Sequence, residues 1–206
     1  NYVMLELGHP LHAFDADKLQ GNTLKIKNAK AGEKFTTLDG KERVLEERDL
    51  LICDQEKPVA IAGVMGGLDS EVTDSTKNLV IEAAFFAPGA IRRTSKRLGL
   101  MTDASKRFER GCDPNILILA LDRAAQLIQQ AAGGNVSQGI IDVASKSFAR
   151  KQITCRLSRI NKLLGIHLSV SEVENIFARL EFVSKWDGSD SFLVEAPTYR
   201  NDIQEE

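Results

Sequence analysis

A chain of 206 residues with 43% hydrophobic content is long enough to bury a real core, which excludes a disordered tail and leaves room for one large domain or a domain and a half. Lys and Arg number 27 against 29 Asp and Glu, so the net charge of −2 supplies no global basic field for nucleic acid, and any RNA contact rests on local patches. Cys53, Cys112 and Cys155 lie dozens of residues apart without the C-x-x-C spacing of a zinc site and read as reduced thiols of a cytosolic protein, and no apolar run approaches the roughly 20 residues that cross a bilayer.

The first half of the chain reads as strand. Residues 23–28 alternate apolar and polar through Leu24 and Ile26, and residues 35–45 place Asp39-Gly40 between two extended arms, the composition of a hairpin turn. Residues 49–53 and 58–62 read as buried strands, as do residues 78–86.

Helical signals come later. Pro88 opens a short helix that runs to Leu98 and stops at Gly99. A longer helix is expected after Asp113-Pro114, with Asp as cap and Pro in the first turn, through Leu117, Leu121, Ala124 and Ile128 until Gly133-Gly134. Residues 136–143 return to strand, and the small polar stretch 144–151 reads as a domain boundary.

A second unit starts at Ile153 with strand, a helix over 158–164, Gly165, a helix opened by the capping-box pair Ser169 and Glu172, and a hairpin through Asp187-Gly188. That order suggests a small winged-helix-like module, so the fold class is α+β, a sheet-rich domain with flanking helices followed by a small α+β domain. Asn1-Tyr2 opens inside an apolar run without an initiator Met, and the end at Glu206 falls where another helix could start, so the chain reads as an excised piece.

Several residues invite chemistry. His9 and His12 lack a third ligand nearby, which argues against a metal site; His12 is either a loop residue beside Pro10 or a pocket imidazole. The run Ala62-Gly63-Val64-Met65-Gly66-Gly67 follows a strand but matches neither the dinucleotide fingerprint nor the phosphate loop, which leaves a tight turn or a backbone open to a ligand. Glu82 sits among apolar residues of a strand, so its carboxylate lies at an exposed edge or in a pocket.

Between positions 90 and 110, Arg92, Arg93, Lys96, Arg97, Lys106, Arg107 and Arg110 face two acids, Asp103 and Glu109, making this the best phosphate-contacting face. A second basic cluster joins Lys146, Arg150, Lys151, Arg156, Arg159 and Lys162; either cluster is equally readable as a solvated surface. No Ser-His-Asp or Cys-His arrangement carries a recognisable local signature, so hydrolysis here would use water as nucleophile.

The segments NYVMLELGHPLHAFD, AIAGVMGG, VIEAAFF, RLGL, TDASKRFERGCDP and LSRINKLLG resemble, in order, signatures of the beta subunits of bacterial phenylalanyl-tRNA synthetases. The resemblance implies that residues 1–148 are most of a tRNA-editing domain, truncated at its N-terminal side, and that residues 149–206 start the following small domain. The family's Gln before the first motif's Pro is His9 here.

By resemblance, the pocket comprises His12, Gly66, Glu82, Thr102 and Ala104 and hydrolyses tRNA(Phe) mischarged with tyrosine; His12, the Gly66 backbone and Thr102 would hold the amino acid, the terminal adenosine or water. Asp202 matches one member of the family's magnesium set, whose other members lie outside this chain. The parent would use ATP and magnesium, with no cofactor held by this piece. It would pair with an alpha subunit as two alpha and two beta chains in the cytoplasm, away from membranes.

Two other readings stand beside this one. One is a noncatalytic module that binds tRNA or docks a subunit through the basic 90–110 face. The other is a structural domain related by fold alone, against which the adjoining LSRINKLLG signature argues.

Overall fold

The computed structural model describes residues 1–144 and 147–206, and its backbone contacts divide the chain into two units: residues 1–112 with 116–139, and residues 113–115 with 140–206. In the first unit the chain runs through α1 (Tyr2–Leu7), β1 (His12–Asp15), β2 (Lys25–Asn28), β3 (Lys34–Thr36), β4 (Glu42–Val44), β5 (Leu50–Cys53), β6 (Pro58–Ile61), β7 (Met65–Gly66) and β8 (Leu79–Glu82). Helices α2 (Pro88–Leu98), α3 (Asp103–Phe108) and α4 (Leu117–Ala132) follow.

Strands β2, β5, β6 and β7 form an antiparallel sheet in that order, β3 and β4 form a hairpin, and β1 pairs antiparallel with β8. Strands form within each expected span, 23–28, 49–53, 58–62 and 78–86, although the last is strand only over Leu79–Glu82, and the turn at Asp39-Gly40 is present, where Gly40 takes φ 73°. The main core gathers Phe14, Leu51, Ile52, Ile61, Phe86, Ile91 and Phe108.

Alternation along β8 decides which way Glu82 faces. Ile81 packs with Val3, Ala120 and Ala124 of α1 and α4, whereas Val80 packs against the main core, so Glu82 projects to the Val80 side. The strand is thus sandwiched between two apolar layers, and the acid lies on the layer that carries the hollow described below.

Helix α2 begins at Pro88 and ends at Gly99 in the left-handed region (φ 67°), as the sequence predicts. Its inner face is pinned by Asp49, a nearly fully buried carboxylate that accepts from the Glu46 amide at 2.8 Å, from the Thr94 hydroxyl at 2.8 Å and from the Arg97 guanidinium. Burying that carboxylate is tolerable because its oxygens are fully engaged.

Two expectations fail locally. Residues 136–143 are not a strand: Val136, Ile140, Ile141 and Val143 are exposed, Gly134 and Gly139 turn to φ 88° and 86°, and no neighbouring strand supplies a ladder among the described residues. β-branched residues favour strands mainly by fitting a packed, paired surface, and here there is none. Helix α4 starts at Leu117 rather than at Pro114, because the Asp113 carboxylate closes a local turn on the Asn115 amide (2.9 Å) and Ile116 stands at the cap without a side-chain bond. The boundary placed at 144–151 includes Ser145 and Lys146, which lie outside the described residues.

The second unit is built from β9 (Lys151–Arg156), α5 (Leu157–Leu164), α6 (Val170–Arg179), β10 (Val183–Trp186) and β11 (Ser191–Ala196), with an antiparallel sheet in the order β10-β11-β9. The Ser169–Glu172 capping box forms in both directions, and Gly165 ends α5 at φ 67°. Val173, Phe192 and Val194 form its core. Among the described residues no helix is long and apolar enough to cross a membrane.

Candidate functional site

In the first unit, β1, β8, the β6–β7 turn and α3 enclose a hollow of about 60 Å³. His12, Gly66, Glu82 and Ala104 line it together, with Phe86, Phe108, Met65, Pro10 and Leu11 supplying much of the apolar wall. The cause is topological. His12 and Glu82 are direct cross-strand partners in the β1–β8 pair, which puts facing side chains on one side with Cβ atoms about 5 Å apart.

Glu82 is partly buried as a residue, and among the described residues no hydrogen bond or ion pair engages its carboxyl. Burial without compensation disfavours the charged form and pushes the carboxyl up to about 7. The sign of the linkage follows: between 4.5, its ordinary value, and about 7 the folded chain holds a proton that the unfolded chain has released. The stability this contributes is complete below 4.5 and is lost as pH rises through about 7. Glu82→Gln should therefore leave stability at pH 4.5 nearly unchanged and raise it at pH 8 by up to about 3 kcal/mol; urea titrations at the two pH values check this, and equal effects at both would refute it.

His12 is held below the ordinary histidine value by burial, so its imidazole is neutral near pH 7. Its ring packs edge-on to Phe14 at 4.5 Å, and its Nε2 is buried without a hydrogen-bond partner among the described residues. A buried polar atom of this kind ordinarily awaits a water or a ligand. Phe86 and Phe108, which meet edge-on at 5.0 Å, floor the hollow, and the buried His9 ring backs Phe108 edge-on at 5.7 Å.

The glycines serve close approach. A Cβ on Gly66 would lie 2.5 Å from Cε1 and 2.7 Å from Nε2 of His12, so the bare backbone is the seat of the ring. Gly63 adopts φ 66° between β6 and β7, and a Cβ there would meet Phe86 at 2.8 Å.

Thr102 plays a different part from the other four residues. As the N-cap of α3 its hydroxyl accepts from the Ser105 amide at 3.0 Å and donates to the Val64 carbonyl at 2.8 Å, while the Ser105 hydroxyl accepts from the Thr102 amide at 3.0 Å. These bonds fasten the helix that carries Ala104 to the glycine turn that carries Gly66. Thr102→Val, equal in size but without the hydroxyl, should cost about 1–2 kcal/mol while Thr102→Ser costs little; denaturant midpoints of the two variants test this, and a neutral Val would count against it.

The basic face is partly committed elsewhere. Arg97 is bound to Asp49 and donates to the Val44 carbonyl at 3.2 Å, and Arg107 donates to the Asp103 carbonyl at 2.9 Å. Arg92, Arg93 and Lys96 stay exposed on α2, and Lys106 is half-buried. In the second cluster Arg156 and Arg159 pair with Glu206, and Lys146 lies outside the described residues. Asp202 is bound by Arg200 at 2.8 Å, and among the described residues no three His, Cys, Asp or Glu side chains converge as metal ligands. The residues present therefore do not make up a magnesium site.

Phe86 and Phe108 carry no separate mark in the sequence, although they fall inside VIEAAFF and TDASKRFERGCDP. Their signal was apolar character at the end of a strand and at the last position of α3, which marks core as readily as a pocket floor.

Comparison with known proteins follows the same division. Residues 1–133 match the B3/4 domain family and residues 153–206 match the tRNA synthetase B5 domain. The phenylalanine–tRNA ligase beta subunit of Protochlamydia amoebophila is 58% identical over 206 residues, 100% of this chain and 26% of that protein. The beta subunit of the same name from Geobacter metallireducens is 53% identical over the same share of each. The chain thus spans 26% of the length of these curated relatives. A crystal structure of an N-terminal fragment of the phenylalanyl-tRNA synthetase beta subunit from Pyrococcus horikoshii aligns at 18% identity and a TM-score of 0.48, covering 98% of this chain and 59% of that one.

Proposed function

The chain belongs to the B3/4 domain family, and from that premise we propose that it is the proofreading segment of a phenylalanine–tRNA ligase beta subunit, hydrolysing tyrosine wrongly esterified to tRNA(Phe) in the hollow between β1, β8 and α3. In this reading residues 1–148 are the editing domain and residues 149–206 the start of the following small domain. ATP, magnesium and the alpha subunit serve the parent enzyme.

The observation that carries the proposal is the Glu82 carboxyl, turned into an aromatic-floored hollow and engaged by no protein donor among the described residues. A synthetic site that is apolar rejects an added hydroxyl only weakly, by roughly a hundredfold in a comparable case, so a second site must read the hydroxyl positively. A phenol O–H donating to Glu82 satisfies both groups. A phenyl ring leaves the acid desolvated and unpaired, which protects the correct product.

The ester is already activated, and positioning water beside it supplies most of what hydrolysis needs. The neutral His12 imidazole, seated on the bare Gly66 backbone, holds the substrate or the water, and Ala104 limits the depth. Exposed Arg92, Arg93 and Lys96 meet the phosphates of the acceptor strand.

Tyr-tRNA(Phe) offered to the complete ligase tests the reading. Deacylation that depends on Glu82 supports it. RNA retained without faster deacylation would replace it with the binding-module reading, in which the basic face alone docks tRNA or a subunit.

A further inference from the structure

The hollow has a wall behind Gly66 that the lining residues do not explain. A Cβ on Gly66 would meet not only the His12 ring but also Cδ1 of Leu38, at 3.2 Å, so Leu38 and the imidazole share the bare face of that glycine. Leu38 comes from the tip of the β3–β4 hairpin, and its amide donates to the Gly66 carbonyl at 3.0 Å while Thr37 bridges to Gly67. The hairpin tip is therefore stitched to the strand that seats His12.

One arginine holds that tip in shape. The side chain of Arg43 is 17% exposed and its guanidinium donates to the Asp39 carboxylate at 2.7 Å, to the fully buried Thr37 hydroxyl at 3.4 Å and to the Leu98 carbonyl at the end of α2 at 3.3 Å. Asp39 also accepts from the Thr37 hydroxyl at 2.6 Å and the Lys41 amide at 3.3 Å. Arg43 itself does not line the hollow. A planar fork with donors in three directions has no equivalent in lysine.

We infer that Arg43 is a positioning residue for the hollow: it braces the β3–β4 tip against α2 so that Leu38 keeps the His12 imidazole on its Gly66 seat. The inference rests on the proofreading reading only for its rate measurement. Its structural part concerns His12 alone.

The test uses Arg43→Met in the complete ligase, with two readouts: the rate at which diethyl pyrocarbonate modifies His12, followed by peptide mass spectrometry, and deacylation of Tyr-tRNA(Phe). The exposed His167 is the internal standard. Modification of His12 should quicken several-fold while His167 is unchanged, and kcat for deacylation should fall roughly tenfold with KM little altered, the expected signature of a misplaced group. Arg43→Lys should lie between, and Glu42→Gln, which removes only the solvent-exposed pair with Lys34 in the same hairpin, should move neither readout.

His12 reactivity that stays at the wild-type rate in Arg43→Met would overturn the inference, whatever the deacylation rate does, and so would an equal change in Glu42→Gln. If Arg43→Met does not fold, Leu38→Ala trims the same wall and should raise His12 reactivity in the same direction; no rise there overturns it equally. A wild-type ligase that failed to deacylate would count against proofreading and leave the His12 result to decide this question.

Discussion

Replacing Glu82 by Ala in the parent ligase should abolish most of the preference for Tyr-tRNA(Phe) over Phe-tRNA(Phe) in deacylation. The hydrogen bond between a phenol and a buried carboxylate is worth about 1.5–3 kcal/mol, so the selectivity ratio should fall by roughly 10- to 150-fold, with the loss concentrated in the tyrosyl substrate. Glu82→Gln should keep part of the preference, because an amide oxygen still accepts from the phenol without the charge. Selectivity in the wild type should also strengthen as pH rises through about 7, where Glu82 becomes a carboxylate that only a donor satisfies. A ratio of deacylation rates untouched by Glu82→Ala would remove the acid from this role.

Gly66→Ala should cost about a hundredfold in deacylation with the fold retained. The new methyl carbon would stand 2.5 Å from Cε1 of His12, closer than nonbonded carbons approach, and 3.2 Å from Leu38, so the imidazole must leave its seat. Displacing a reacting or orienting group by an ångström is enough for a loss of that size. The obstructing neighbours are side chains rather than backbone, which is why the sheet should survive and the chemistry should not. Deacylation measured beside circular dichroism separates the outcomes: full activity would mean that the ring position does not matter, and lost structure would mean that Gly66 serves the fold.

Much of this arrangement was legible from local signals. The strand that carries Glu82, the hairpin around Asp39-Gly40, the span of α2 from Pro88 to Gly99 and the Ser169–Glu172 capping box each have their cause within a few residues. The site residues came from motif resemblance, and the structure brings His12, Gly66, Glu82 and Ala104 to one hollow.

What was not legible depends on partners far along the chain. Pattern alone left Glu82 at an edge or in a pocket, because the answer is set by the packing of Ile81 against α1 and α4. Arg97 read as part of the phosphate-contacting face although Asp49, 48 residues away, binds it, and Thr102 read as a substrate contact although its hydroxyl bonds to Val64. Arg43 carried no sequence signal at all, since its three acceptors meet only when the hairpin folds onto α2. Residues 136–143 show the opposite error, in which apolar alternation without a pairing neighbour produced no strand.

A crystal structure of the protein with a non-hydrolysable tyrosyl-adenosine amide would test the recognition of the hydroxyl most directly. The phenol oxygen should lie about 2.5–2.7 Å from a Glu82 carboxyl oxygen, with the ring over Phe86 and Phe108. A phenol pointing to solvent, or an analogue bound away from the β1–β8 pair, would contradict it.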